Sequence, residues 1–220
     1  MTRVRELLFK NDPYDGFDAS KYEFDLQGWN GDSNMLSVKV DEVKPMLACE
    51  VGSWKGMSAA NIASHMPKGG ELVCVDTWLG AQEFWTLPPP LTREKRDLKL
   101  VNGYPSIYYQ FLANMSKLSL QETVTPFPIT SQIAAGAFAY WGVKFDFIYV
   151  DASHEYRDVK DDINVYWDLL NPGGYICGDD YGGYWDGVTL AVNEFVNTKW
   201  RNLEIDLEID RVATTWCVKK

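Results

Sequence analysis

The stretch FDFIYVDASHEYRDVKDDINVYWDLLNPGGYICGDDY, residues 145–181, decides the fold of this 220-residue chain. It opens with an apolar segment, residues 145–150, and closes with a second one, residues 175–178. Short, nearly continuous apolar segments are typical of strands that a parallel sheet buries on both faces. An amphipathic helical pattern lies between them and ends at the turn signal Asn-Pro-Gly-Gly. The stretch therefore predicts two parallel strands joined by a crossover helix.

Acidic side chains follow both predicted strands. Asp151 comes directly after the first strand, Asp179 and Asp180 come after the second, and His154 lies three residues beyond Asp151. Because neighbouring parallel strands end at the same edge of a sheet, we expect these four side chains to converge. Carboxylate oxygens suit Mg²⁺ or Mn²⁺, and an imidazole can act as a general base. The arrangement predicts a divalent-metal site with a base beside it.

Plainer interpretations exist for the same residues. Asp179 and Asp180 could simply mark the polar exit of a strand, and Asp151 could cap the helix that follows it. The joint placement of all three acids favours the metal site. The chain has one other histidine, His65, at a predicted helix end, and we interpret it as structural.

A second strand–helix–strand unit lies upstream. A buried strand at residues 46–51 leads into a turn with Gly52 and Gly56, a helix follows, and a strand at residues 72–75 ends at Asp76. Glycines let a ligand approach the backbone, and an acid at the next strand end can accept hydrogen bonds from ribose hydroxyls. The spacing is not that of the GxGxxG dinucleotide motif. The unit predicts a nucleotide-like binding site.

The order of the elements predicts an α/β fold with a doubly wound, mostly parallel seven-stranded sheet and an antiparallel C-terminal hairpin. The predicted strands are residues 46–51, 72–75, 124–129, 145–150, 175–178, 203–209 and 212–218. We expect a core domain over residues 46–220 and an N-terminal cap segment over residues 1–45. Residues 77–105, with three consecutive prolines, are interpreted as a lid-like excursion; the alternative is a surface loop without a role.

Composition narrows the functional classes. The net charge of −10 argues against a nucleic-acid substrate held on a basic face. No apolar run reaches the length of a membrane span and no signal-peptide pattern opens the chain, so we expect no membrane partner and a cytoplasmic location. The aromatic content of 14% is interpreted mainly as core packing; a surplus near an active site would suit an apolar, ring-bearing substrate. The four cysteines lie singly in apolar runs and are interpreted as core residues rather than as disulfides; these are Cys49, Cys74, Cys177 and Cys217.

Together these motifs resemble the class I S-adenosylmethionine-dependent methyltransferases. EVGSWKGMS, residues 50–58, is similar to their first cofactor-binding motif, and the C-terminal hairpin is similar to the end of their fold. VDASHEY, residues 150–156, resembles the VDGxHxY pattern of a subfamily that includes macrolide-sugar and cephalosporin-biosynthesis O-methyltransferases. Ala152 stands where that pattern usually has glycine. The resemblance covers roughly residues 45–220.

The resemblance implies an enzyme that binds S-adenosyl-L-methionine. The implied cofactor-binding residues are Glu50, Gly52, Ser53, Gly56, Ser58, Asp76, Thr77, Ser131, Gln132 and Asp151. The implied ligands of Mg²⁺ or Mn²⁺ are Asp151, Asp179 and Asp180, and the implied catalytic residues are His154, as base, and Asp151. The acceptor would be a hydroxyl of a small molecule such as a sugar, a polyketide or a catechol-like vicinal diol. The sequence leaves the acceptor's identity and a homo-oligomeric state open.

Three other functions stay under consideration. The same fold could transfer methyl groups without a metal, with His154 alone as base. A nicotinamide-dependent oxidoreductase is disfavoured by the absence of GxGxxG and by the closing hairpin. A non-catalytic module that binds S-adenosylmethionine would retain the cofactor without turnover.

Overall fold

Seven β-strands form one mixed sheet in the computed structural model, which describes residues 3–31, 33–86, 97–200 and 206–220. The strands are β1 Leu47–Val51, β2 Glu71–Asp76, β3 Val124–Pro128, β4 Phe145–Val150, β5 Leu170–Gly178, β6 Leu207–Asp210 and β7 Thr215–Lys219. Their spatial order is β3-β2-β1-β4-β5-β7-β6. The pairs among β1 to β5 are parallel, and β7 runs antiparallel to both β5 and β6. The predicted fold class is confirmed.

Helices cover both faces of the sheet. They are α1 Val4–Leu8, α2 Asn34–Val43, α3 Met57–His65, α4 Gln82–Thr86, α5 Ile107–Lys117, α6 Ser131–Trp141, α7 Tyr156–Leu169 and α8 Asp186–Trp200, with a 3₁₀ turn at Ala19–Lys21. One apolar cluster joins the sheet to α6, α7 and α8, and the other joins it to α2, α3 and α5. Within β4, Ile148 and Val150 enter the first cluster, and Phe147 and Tyr149 enter the second. This two-sided burial explains the nearly unbroken apolar strands. No helix among the described residues is long and apolar enough to cross a membrane.

The C-terminal hairpin has a longer turn than its sequence indicates. Residues 201–205, which hold the start of the predicted strand 203–209, lie outside the described residues, and β7 begins at residue 215 rather than 212. The Asp210 carboxylate accepts hydrogen bonds from the backbone of Val212 at 2.9 Å and Ala213 at 3.1 Å. An aspartate that accepts hydrogen bonds from the backbone just after it stabilises a turn of this kind. The residues in the turn are therefore not paired between β6 and β7.

The N-terminal cap segment packs against the core domain. The backbone N–H groups of Val4 and Arg5 each donate to the Glu71 carboxylate at 2.9 Å. Asp32-Ser33 is a typical helix-capping pair. Ser33 accepts from the backbone of Leu36 at 3.5 Å at the start of α2, and Asp32 lies outside the described residues. The Glu71 contacts attach the segment to β2, and Leu36 and Val40 of α2 pack in the second apolar cluster.

The proline-rich excursion is described at its two ends, residues 77–86 and 97–105, and the prolines lie outside the described residues. Trp78 is 2% exposed and packs in the same apolar cluster as Leu98. Both described ends of the excursion therefore contact the core, and its role as a lid stays a prediction.

The structure corrects the interpretation of two cysteines. Cys177 of β5 and Cys217 of β7 are directly paired across the antiparallel strands, with Cα atoms 4.0 Å apart, and form a disulfide. Cys49 and Cys74 are buried free thiols, as expected. The paired cysteines are 40 residues apart in sequence, so their proximity is a product of strand order and register.

Candidate active site

A cavity of about 800 Å³ opens at the carboxyl edge of the parallel strands. There β1 lies between β2 and β4, and the crossover connections leave in opposite directions, which is the usual ligand site of open α/β sheets. Of the residues predicted for function, the cavity wall includes Gly52, Ser53, Ser58, Asp76, Thr77, Ser131, Gln132, Asp151, His154, Asp179 and Asp180. Two predicted cofactor-binding residues, Glu50 and Gly56, are not part of this wall.

The glycine turn after β1 requires glycine at two positions for different reasons. Gly52 has φ +89°, and a β-carbon there would lie 2.0 Å from the carbonyl oxygen of Asp151. Gly56 has φ +92°, and its β-carbon would meet the side chain of Met115 at 2.5 Å and Phe111 at 3.1 Å. Gly52 thus lets the turn pack on the chain leaving β4, whereas Gly56 lets α3 begin close to α5.

Asp76 holds the glycine turn from the end of β2. Its Oδ2 accepts hydrogen bonds from the backbone of Ser53 at 2.9 Å and Trp54 at 2.8 Å, and its Oδ1 accepts from Trp78 at 2.7 Å. Burial raises the pKa of Asp76, and these backbone donors oppose that shift. The carboxylate orders the turn directly; its contact with a ribose stays a prediction.

Glu50 lies beneath the turn and is 0% exposed. Its Oε1 accepts a hydrogen bond from the Ser58 hydroxyl at 2.6 Å, which links β1 to α3. Burial raises the pKa of Glu50 to about 7. Glu50 therefore joins β1 to the helix that follows the turn, and its predicted contact with the cofactor stays a prediction.

The start of α6 forms the opposite wall of the cavity. The Gln132 amide donates to Asp162 Oδ1 at 2.9 Å, and the Tyr166 hydroxyl donates to the backbone carbonyl of Ser131 at 3.0 Å. Burial raises the pKa of Asp162 to about 6. Asp162 also lines the cavity, although the sequence pattern assigns it no role there.

Three of the predicted residues form an acid–imidazole cluster. Asp151, His154 and Asp180 each place one ligand atom within 4.8 Å of the other two, and His154 Nε2 lies 3.1 Å from Asp180 Oδ2. Burial raises the pKa of Asp151 well above its usual range, and the negative charges of Asp179 and Asp180 add to the shift. Two carboxylates and an imidazole fit a divalent cation by donor type, with Mn²⁺ as well suited as Mg²⁺.

Asp179 adjoins this cluster but has protein partners of its own. Its Oδ2 accepts from the Asn30 side-chain amide at 2.6 Å, and its Oδ1 accepts from the Thr214 hydroxyl at 3.0 Å. Burial raises the pKa of Asp179, and the charge of Asp180 acts in the same direction. The predicted role of Asp179 as a direct metal ligand stays a prediction.

The start of α8 holds His154 in place. The imidazole stacks on the indole of Trp185, with ring centroids 4.2 Å apart and an angle of 6° between the planes. A β-carbon on Gly187 would lie 2.4 Å from the His154 carbonyl oxygen, so the two segments pack closely. Sequence reasoning did not identify Trp185, because nothing in its spacing relates it to His154, 31 residues earlier.

Aromatic side chains form much of the remaining wall. They come from the cap segment, the glycine turn, α4 and the loop before α8: Trp29, Trp54, Phe84, Tyr184 and Trp185. Tyr184 is 87% exposed at the mouth. The predicted association of aromatic residues with the site therefore has a structural counterpart.

The sheet order and the cavity at its carboxyl edge define a class I methyltransferase fold. Residues 49–181, more than half of the chain, match the model of a family described as a methyltransferase domain, and the chain belongs to this family. The family match confirms that this chain is a methyltransferase-family member, as the resemblance of the first motif, Asp76 and residues 150–156 implied.

Solved structures agree with that fold. The O-methyltransferase from Bacillus cereus in complex with SAH superimposes with a TM-score of 0.58 at 15% identity, over 99% of this chain and 95% of that one. TomG from Streptomyces achromogenes, an O-methyltransferase of tomaymycin synthesis solved with SAM, gives a TM-score of 0.60 at 14% identity, over 98% and 92%. SAH-bound methyltransferase PaMTH1 from Podospora anserina gives 0.56 at 15% identity, over 84% and 76%. At these identities the likeness concerns the fold alone.

A sequence relative comes from Acanthamoeba polyphaga mimivirus. The uncharacterized protein R132 is 31% identical over 111 residues, which are 50% of this chain and 46% of that protein. The match thus spans less than half of the viral protein.

Proposed function

We propose that this protein transfers a methyl group from S-adenosyl-L-methionine to a hydroxyl of a small molecule, with help from a divalent metal. One observation carries the proposal: the glycine turn with Asp76 and the cluster of Asp151, His154 and Asp180 line the same cavity. A nucleotide-type donor site therefore opens directly onto a group of residues that can activate a hydroxyl.

The donor half would be formed by the glycine turn, the end of β2 and the start of α6. The Gly52 turn admits a ligand close to the backbone, and Ser131 and Gln132 line the same cavity. The three solved structures described above contain SAM or SAH, which supports the choice of donor.

The acceptor half would be formed by the acids and His154. When bound, Mg²⁺ or Mn²⁺ supplies Lewis-acid stabilisation of the negative charge that develops on the acceptor oxygen. Asp151, Asp179 and Asp180 would hold the cation, and His154, oriented by Trp185, would take the hydroxyl proton. The methyl carbon leaves the sulfonium sulfur as it bonds to the oxygen, so the products are S-adenosylhomocysteine, a methyl ether and protonated His154.

The aromatic wall favours a ring-bearing acceptor. Trp29, Tyr184 and Trp185 offer flat apolar surfaces at the side of the cavity that carries the acids. Two adjacent oxygens on the acceptor could both approach the cation, which favours a vicinal diol. We therefore rank catechol-like and polyketide-derived diols ahead of simple sugars.

One observation also favours a metal-free version of the reaction. His154 Nε2 lies 3.1 Å from an Asp180 carboxylate oxygen, an arrangement that can orient an imidazole as general base without a cation. Chelation separates the two mechanisms, because EDTA abolishes turnover in one and leaves it intact in the other.

The test is methyl transfer from labelled S-adenosylmethionine to a panel of catechols, polyketide diols and sugars, with Mn²⁺, with Mg²⁺ and with EDTA. We expect turnover that needs the metal and that falls at least 100-fold in Asp151→Asn. The exposed Asp168 of α7 provides the matched control, since Asp168→Asn should keep full activity. Binding of S-adenosylhomocysteine without transfer to any acceptor would instead support a non-catalytic binding module.

A further inference from the structure

Residues 23–31 of the cap segment, called here the strap, cross the molecule from α5 to the acid cluster. At one end, Asn114 of α5 donates its amide hydrogens to the backbone carbonyls of Asp25 and Lys55, each at 2.8 Å. Lys55, which is 1% exposed, pairs with the Asp25 carboxylate at 2.8 Å. The strap is therefore fastened to the glycine turn by an ion pair whose lysine is buried and by an amide that bridges the two backbone segments.

At the other end, the strap reaches the acids through Asn30. The Nδ2 of Asn30 lies 2.6 Å from Asp179 Oδ2 and 2.9 Å from the hydroxyl oxygen of Tyr149, so its two hydrogens have separate acceptors. The Asn30 carbonyl accepts from the Asn61 amide of α3 at 3.0 Å. Asn30 has φ +59°, a conformation that asparagine adopts more readily than most residues.

Tyr149 extends this contact to a second carboxylate. Its hydroxyl accepts from Asn30 and donates to Asp151 Oδ2 at 3.4 Å. Tyr149 is fully buried, and burial raises the pKa of its hydroxyl well above the usual value, so the proton stays in place. One amide from the cap segment thus organises acids at the ends of two strands, β4 and β5.

We infer that Asn30 is a positioning residue for the metal site, and that the strap is ordered by the occupancy of that site. The inference rests on the proposed function. Carboxylates that bind metals are held by hydrogen bonds from further residues, and removing such a partner typically weakens metal affinity by about 10–100-fold. Asn30 supplies that bond to Asp179 directly and to Asp151 through Tyr149.

Charge explains why a neutral donor stands at this position. Asp151 and Asp180 place carboxylate oxygens within 4.8 Å of each other, so their negative charges repel one another. An amide offsets part of that repulsion without neutralising the site, whereas a lysine would compete with the cation. By linkage, if the strap favours cation binding, then cation binding must favour the docked strap to the same degree.

The experiment measures Mn²⁺ affinity by calorimetry and hydrogen exchange of residues 23–31 with and without Mn²⁺. The variants are Asn30→Ala, Tyr149→Phe and, as matched control, Asn11→Ala at an exposed asparagine of the same cap segment. We expect Mn²⁺ to bind about 10–100-fold more weakly to Asn30→Ala, with a smaller loss in Tyr149→Phe and none in Asn11→Ala. Mn²⁺ should slow exchange of the strap in the wild type and leave it unchanged in Asn30→Ala.

The outcomes separate this inference from the proposed function. Equal Mn²⁺ affinity and equal strap protection in wild type and Asn30→Ala would overturn the inference and leave the metal-dependent function standing. The metal-dependent function itself would be overturned if the wild-type protein binds no Mn²⁺. It would also be overturned if the wild type and Asp151→Asn bind Mn²⁺ with equal affinity. If Asn30→Ala does not fold by circular dichroism, Tyr149→Phe decides, because the phenyl ring preserves the packing and removes only the hydroxyl.

Discussion

Gly52 and Asp151 are in direct backbone contact: a β-carbon on Gly52 would lie 2.0 Å from the Asp151 carbonyl oxygen. The turn that follows β1 therefore packs against the chain that leaves β4. This contact brings the proposed donor site and the acid cluster to the same cavity, and it depends on the absence of a side chain.

Gly52→Ala should abolish binding of S-adenosylhomocysteine. The alanine adds a clash with Asp151 to the cost of a positive φ, which is about 1–3 kcal/mol for a non-glycine residue. Gly69→Ala is the matched control, because Gly69 has φ +85° but no atom within 4 Å of its would-be β-carbon. Calorimetry and thermal unfolding of both variants provide the measurements. Similar affinity in Gly52→Ala and the control would show that the contact is dispensable.

His154→Ala should lower kcat by about 10²–10⁴-fold, the usual contribution of a general base. His65→Ala, at the other histidine, should leave kcat unchanged, since His65 pairs with Asp41 on the surface. Steady-state kinetics with the best acceptor from the panel measures both. A wild-type rate in His154→Ala would remove the imidazole from the mechanism.

Trp185→Leu should lower kcat by about 10–100-fold through misplacement of the His154 ring, without a matching rise in KM for the acceptor. The indole stacks on that ring at 4.2 Å, so its removal frees the imidazole to rotate. Trp185→Phe should restore most of kcat because a phenyl ring can also stack. An effect confined to KM would mean that Trp185 only binds the acceptor.

Glu50 should make the protein less stable as pH rises from about 4.5 to 7. Burial raises the pKa of Glu50 from 4.5 to about 7, so within this range the folded protein keeps a proton that the unfolded chain releases. The decrease in the free energy of unfolding is complete above pH 7 and amounts to about 3 kcal/mol at most. Glu50→Gln should remove this part of the pH dependence and still accept the Ser58 hydrogen bond.

Urea unfolding at pH 5 and pH 8 measures this effect, with Glu6→Gln at an exposed position as the control. The difference in free energy of unfolding between the two pH values should shrink in Glu50→Gln and stay as in wild type in the control. An unchanged difference in Glu50→Gln would contradict a raised pKa for this carboxyl group.

The Cys177–Cys217 disulfide predicts two reactive thiols in the denatured, unreduced protein and four after reduction. Alkylation followed by mass spectrometry gives the count. Replacing both cysteines by alanine should lower the free energy of unfolding by about 2–4 kcal/mol, because the bond restricts the unfolded chain. Four thiols without reductant would contradict the bond. Because disulfides are rare in reducing compartments, the count also bears on the predicted cytoplasmic location.

Strands and their ends could be predicted because they depend on local pattern. The continuous apolar residues of β4 indicate burial on both faces, and the acids after β4 and β5 mark where these strands leave the core. Given parallel strands, the convergence of Asp151 with Asp180 follows from the sheet alone. The turn after β1 could be predicted equally well, since glycines directly after a buried strand indicate a tight turn into the next helix.

The side-chain contacts within the site could not be predicted in the same way. No pattern in the sequence around Asn30 indicates a role in the site, yet its amide contacts Asp179, 149 residues later. The hydrogen bond between Glu50 and Ser58 of α3 was not foreseen either, and the contact of Glu50 with the cofactor stays a prediction. The stacking of Trp185 on His154 and the pairing of Cys177 with Cys217 likewise depend on how distant segments pack.

The sequence by itself determined the α/β architecture, the family and the edge of the sheet at which the chemistry should occur, because hydrophobic period and turn residues act over a few neighbouring positions. Only the tertiary structure decided which side chains surround the acids, which carboxylates have protein donors and which cysteines meet. Those contacts join residues far apart in the chain, and their geometry is set by strand register and by the packing of the cap segment, which no local pattern encodes.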